Sequence, residues 1–194
     1  ERERELSRCL AAILRREPAA LQLLCELVPR SDPSALEPAL RAVADAAGEE
    51  AAARLAGLLP LVDDAARAVV LSELERAAVR GSGLDDLGVS DLVRTQLGSL
   101  DRGLTVLACG VLEKLRDHGA VPDLIVLLGD DDRNVRDRAH TALVRLTGLT
   151  FAPEEEPWLA WLDEAMAWWD TRSEACRAAV RSVRRGMGSD VASS

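Results

Sequence analysis

Residues 120–148 read AVPDLIVLLGDDDRNVRDRAHTALVRLTG. Apolar residues recur at three- and four-residue steps on both sides of the acidic run Asp130, Asp131, Asp132. That spacing gives each flank one apolar face and predicts two short antiparallel helices joined by a tight turn. Such a pair cannot bury its apolar face alone, so it needs neighbours of the same kind.

The neighbours lie upstream. Leu24–Gly48 superposes without gaps on Leu124–Gly148, placing Leu27 on Leu127, Ala39 on Ala139, Ala42 on Ala142, Val43 on Leu143 and Gly48 on Gly148. Leu97, Leu104, Ala108 and Leu112 fall on Leu128, Val135, Ala139 and Leu143, and Leu59, Arg67 and Leu74 on Leu128, Arg136 and Leu143. The predicted organisation is an N-terminal capping helix (1–17), four helix pairs (18–148), Trp-rich C-terminal helices (149–185) and a flexible tail (186–194). The pairs are read as 19–28 with 33–47, 50–59 with 64–80, 90–97 with 101–117, and 122–128 with 133–147. In the first helix the apolar face is read as Leu6, Cys9, Leu10, Ile13 and Leu14. The small residue shared by positions 39, 108 and 139 suits the closest approach of stacked helices.

Composition agrees with an all-α fold. Apolar residues make up 48% of 194 residues, aromatics only 3%, and tyrosine is absent, so Leu, Ala and Val must do the packing. Ala and Leu are strong helix formers, and no segment alternates as a strand would. The formal net charge of −9 argues against a nucleic-acid partner. Arg177, Arg181, Arg184 and Arg185 read as a solvated helix end. Lys114 is the sole lysine, and with the high alanine content this reads as the codon bias of a high-GC bacterial genome. Cys9, Cys25, Cys109 and Cys176 form no CxxC pair and read as small buried hydrophobes in a reducing cytoplasm. No apolar run of about 20 residues exists, so no membrane span is expected. A start at Glu1 reads as a fragment or a processed chain.

Residues 122–148 resemble a HEAT repeat. Pro122 opens the first helix, Leu127 and Leu128 end it, Asp130 and Asp132 mark the turn, and Val135–Arg136 with Ala139 and Ala142 fill the second helix. The resemblance implies a right-handed α-α superhelix, an armadillo-type α-solenoid, with Asp132 capping the second helix and Asp130 pairing with Arg136. The first pair has Leu36 where the arginine would stand. Residues 146–169 also resemble the tail of some bacterial HEAT-like proteins, with Leu146, Thr147, Gly148 and Phe151 before Trp158, Trp161, Trp168 and Trp169.

Candidate sites are few. Trp158, Trp161, Leu162, Ala165, Trp168 and Trp169 form a helical stripe that reads as a terminal cap, with Trp169 as a possible contact residue because adjacent Trp168 and Trp169 cannot face the same way. The acidic runs at 130–132 and 154–156 lack EF-hand spacing and read as solvated turns. His118 and His140 lie outside any HExxH, and no GxSxG or GxGxxG occurs, so no catalytic residue, metal or cofactor is expected. What remains is the wall of second helices, whose exposed positions are read as Arg102, Thr105 and Lys114 in the third pair and Arg133, Asp137, Arg138, Thr141 and Arg145 in the fourth. Its mixed charge suits a protein or peptide partner and predicts a non-enzymatic interaction scaffold. The alternatives are a HEAT-like enzyme, of the DNA glycosylase or bilin lyase type, and a structural spacer in a larger protein.

Overall fold

Among the described residues nine α-helices precede Pro153. The computed structural model describes residues 2–27, 33–46, 51–79 and 88–168, and every regular element among them is helical. The helices are α1 (Arg2–Arg16), α2 (Pro18–Leu27), α3 (Pro33–Ala46), α4 (Ala51–Ala56), α5 (Asp64–Val79), α6 (Val89–Arg94), α7 (Arg102–Leu115), α8 (Val121–Val126) and α9 (Arg133–Thr147). The chain divides into two compact units after Pro153. Residues 155–168 of the second unit form one more helix, α10.

Aspartates start α5, α7 and α9. Asp63, Asp101 and Asp132 each accept a backbone N–H of the first turn, from Ala66, Gly103 and Asn134 at 2.9, 2.8 and 2.7 Å. This satisfies donors that a helix start otherwise leaves orphaned. At the other end Gly148 takes a left-handed conformation (φ 73°) and returns its N–H to Val144 O at 2.9 Å. A residue with a Cβ adopts that conformation only at a cost.

The short helices α4, α6 and α8 stop after six residues, earlier than the periodicity suggests. They run into 3-10 turns at Leu59–Leu61, Thr95–Gly98 and Leu127–Gly129. The tighter turn lets Leu59, Leu97 and Leu128 reach the core while the chain reverses into the next aspartate cap.

The long helices pack in chain order: α1 on α3, α3 on α5, α5 on α7 and α7 on α9. Helices α2, α4, α6 and α8 each pack on the long helix that follows. The aligned residues Val43, Leu74, Leu112 and Leu143, with Ala108 and Ala139, are fully buried. Leu, Val and Ala thus build the core of this unit, as a chain so poor in aromatics requires.

The face of α1 differs from the sequence reading. Among its described side chains Ser7, Ala11 and Leu14 are buried and Leu10 is half-buried, whereas Cys9 and Ile13 are exposed; the side chain of Leu6 lies outside the description. The small side chains at 7 and 11 let α1 lie close to α3. The Ser7 hydroxyl donates to Pro38 O at 3.2 Å, and Arg15 donates to Asp45 O at 2.9 Å. Cys25 is half-buried and Cys109 fully buried, so burial holds for Cys109 and fails for Cys9; Cys176 lies outside the described residues. Desolvation pushes the Cys109 thiol up to about 12 and keeps it neutral.

In the second unit, Trp158 on α10 is fully buried and meets Trp161 edge-on, with ring centroids 6.4 Å apart. Leu159, Met166 and Trp168 are exposed. Trp169 and the arginines at 177, 181, 184 and 185 lie outside the described residues. No helix among the described residues is long and apolar enough to cross a membrane.

Ala139 is fully buried where α9 packs on α7. Ala139→Leu is expected to lower stability by roughly 1–3 kcal/mol through overpacking. Urea denaturation measures this, and an unchanged midpoint would refute the close approach at this position.

Candidate interaction surface

The fourth residue after each capping aspartate has a defined task. Arg67 reaches back to donate from Nε to Leu59 O at 3.0 Å, and Arg136 donates from Nη1 to the carbonyls of Asp130 and Asp131 at 2.7 and 2.9 Å. Each arginine thereby ties its long helix to the end of the short helix before it. The expected Asp130–Arg136 ion pair is replaced by this backbone staple. The Asp130 carboxylate turns instead to Arg102 of the preceding pair, 3.2 Å away, and accepts the N–H of Asp132.

Thr105 occupies the arginine's place in the third pair. It was expected on the exposed wall, but it is fully buried, and its hydroxyl has no hydrogen-bond partner. The reason is positional: the fourth residue after the cap points toward the turn and the core, and threonine is too short to reach the turn's carbonyls.

The wall itself is organised around Glu113 on α7, whose side chain is only 4% exposed. Arg145 on α9 donates to its Oε1 at 2.9 Å, and Lys114 approaches the same oxygen at 3.5 Å. Arg138 on α9 brings Nη1 to 3.0 Å from Oε2. Oε2 accepts no hydrogen bond and is held by this ion pair. The other end of the Arg138 guanidinium continues across α7 to Glu75 on α5, at 3.6 Å.

Gly110 opens this crossing. A Cβ at 110 would lie 2.6 Å from Arg138 Nη2 and 3.2 Å from Glu75 Oε1. A glycine inside α7 costs about 1 kcal/mol of helix propensity relative to alanine, and the passage of the guanidinium is what the space is used for. Neither Gly110 nor Glu113 stands out from the periodicity. The available signals were a glycine within a helical run and a carboxylate in the apolar stretch 111–115.

A second cluster ties α3 to α5. Glu73 is buried and takes Arg41 from α3 and Arg76 from its own helix, and Arg76 also reaches Asp45. On the short-helix side, Arg94 of α6 grips Asp117 through Nε and Nη2 at 2.7 and 3.2 Å. The hydrogen bond to Asp117 raises the Arg94 pKa above its ordinary value.

The remaining expected wall residues divide by exposure. Arg133 is 83% exposed and pairs with Asp137 at 3.4 Å, and the Thr141 hydroxyl donates to Asp137 O at 2.8 Å. Arg102 and Arg145 are exposed but anchored, and Arg138 is mostly covered. Trp169 lies outside the described residues. His140 is turned away from this surface to donate from Nε2 to Phe151 O at 2.8 Å, which holds the segment leaving α9. Among the described residues, no group of three or more His, Cys, Asp or Glu is placed to hold a metal ion.

No protein-family model matches the sequence, and no curated protein does either. The fold is similar to the crystal structure of an engineered protein from the Northeast Structural Genomics Consortium, with a TM-score of 0.53 and 21% identity. The likeness covers 73% of this chain and 72% of that one.

Two substitutions test this geometry. Thr105→Val removes a buried hydroxyl that has no partner and is expected to raise stability by about 1 kcal/mol in chemical denaturation. Gly110→Ala is expected to displace the Arg138 guanidinium. A double-mutant cycle over Glu75 and Arg138 should give a coupling of up to about 1 kcal/mol in the parent chain. In the Gly110→Ala background that coupling should vanish; its persistence would mean that the crossing does not need the glycine.

Proposed function

We propose that this chain is a non-enzymatic protein–protein interaction scaffold, built as a right-handed superhelix of HEAT-like pairs. The observation that carries the reading is the packing of α1, α3, α5, α7 and α9 in chain order. Helices stacked in this way leave one side of each long helix to a common face. The charged residues of that face are held by contacts between neighbouring helices, such as Arg41–Glu73 and Arg145–Glu113. A face ordered before contact loses little conformational entropy when a partner binds. The free thiols of Cys9, Cys25 and Cys109 suit a reducing cytoplasm.

Affinity capture from a cell lysate at high salt, with mass spectrometric identification, tests the scaffold reading. The paired bait carries Arg133→Glu and Thr141→Arg. A discrete partner is expected on the parent chain and is expected to be lost from the variant. A partner kept equally by both baits would move the contact off the wall, and capture of nothing by either would favour a structural spacer.

A further inference from the structure

We infer that the α7–α9 part of the wall docks a carboxylate-rich peptide segment, with Arg145, Lys114 and Arg138 as its anchors; this rests on the scaffold reading above. Charge is divided unevenly along the long helices. Helices α3 and α5 together carry three cationic side chains and five carboxylates. Helices α7 and α9 carry six cationic side chains and two carboxylates, in a chain whose net charge is −9. Arg102 and Arg136 serve the turn at Asp130–Asp132, which leaves Lys114, Arg133, Arg138 and Arg145 against Glu113 and Asp137 on these two helices.

Three of those cations converge on Glu113, whose single carboxylate cannot neutralise them. Arg145, Lys114 and Arg138 offer about 13 N–H donors between them. They make two hydrogen bonds, both to Glu113 Oε1. The unspent donors sit on side chains whose positions are already set by the buried carboxylate, by Gly110 and by Glu75. Such a cluster needs acceptor-only groups, and carboxylates supply them with the geometry that guanidinium prefers. Glu75 and Asp137 interrupt the positive surface, which disfavours the continuous phosphate track of a nucleic acid.

The test is fluorescence anisotropy on the full chain with a short labelled Glu-rich peptide at low and physiological salt. A Lys-rich peptide and a labelled DNA duplex serve as comparisons. The Glu-rich peptide is expected to bind, to weaken with salt, and to lose about tenfold or more in affinity with Arg145→Glu combined with Lys114→Glu. Arg145 is 60% exposed, and a circular dichroism melt checks the fold of the variant; if the double reversal unfolds, Arg145→Gln combined with Lys114→Gln replaces it with the same expected direction. Arg8→Glu, an exposed position on α1 outside the wall, is expected to bind within about twofold of the parent. No binding by the folded parent chain at low salt, or equal affinity for the double variant, would overturn the assignment. Tighter binding of the duplex than of the Glu-rich peptide would overturn it in favour of a phosphate backbone. A partner captured by the parent chain in the lysate experiment, with no affinity for the Glu-rich peptide, would refute the acidic-peptide assignment and leave the scaffold reading standing.

Discussion

A buried carboxylate has to be answered by charge, and in this protein Glu113 draws three cations to itself. An ion taken out of water loses solvation worth several kcal/mol, and that loss is offset only when partners are close. Arg138 and Arg145 both come from α9, so the same contacts that stabilise Glu113 bind α7 to α9. Arg138 then crosses Gly110 to Glu75, so α5 is drawn into the same cluster. In stacked helical pairs most contacts run between nearest neighbours. Here one guanidinium joins three successive long helices.

The turns follow a shorter rule. An aspartate caps the long helix, and an arginine four residues later ties it to the preceding short helix. Among the turns before α5, α7 and α9, the rule fails at Thr105, where the hydroxyl is buried without a partner. Arg102 makes the nearest substitute by pairing with Asp130 of the next turn. The third pair is therefore held to the fourth by a side-chain contact, whereas the second and fourth pairs are each stapled internally.

Much of the fold was legible in the residues. The periodicity located the helices to within a few residues, because an amphipathic segment has one way to bury its apolar face. Asp132 and Gly148 announced their capping roles, because both act within a few residues of chain. The α1 face was misread at Cys9 and Ile13 for the opposite reason. An apolar stripe on a helix that has a long neighbour on one side only does not say which of its residues that neighbour covers. Ser7 is buried there because α3 offers its hydroxyl a carbonyl.

The sequence by itself determined an all-helical chain of repeated pairs, the caps that start and stop the long helices, and the small residues at their core. These depend on interactions within a turn or two of helix, and local spacing is enough to read them. Only the tertiary structure decided that Thr105 is buried, that Asp130 serves Arg102 and not Arg136, and that Glu113 gathers cations from another helix. Those outcomes depend on which side chains meet across gaps of some thirty residues, such as Glu113 with Arg145. Side-chain direction and length settle such meetings, and neither is written in the apolar period of the chain.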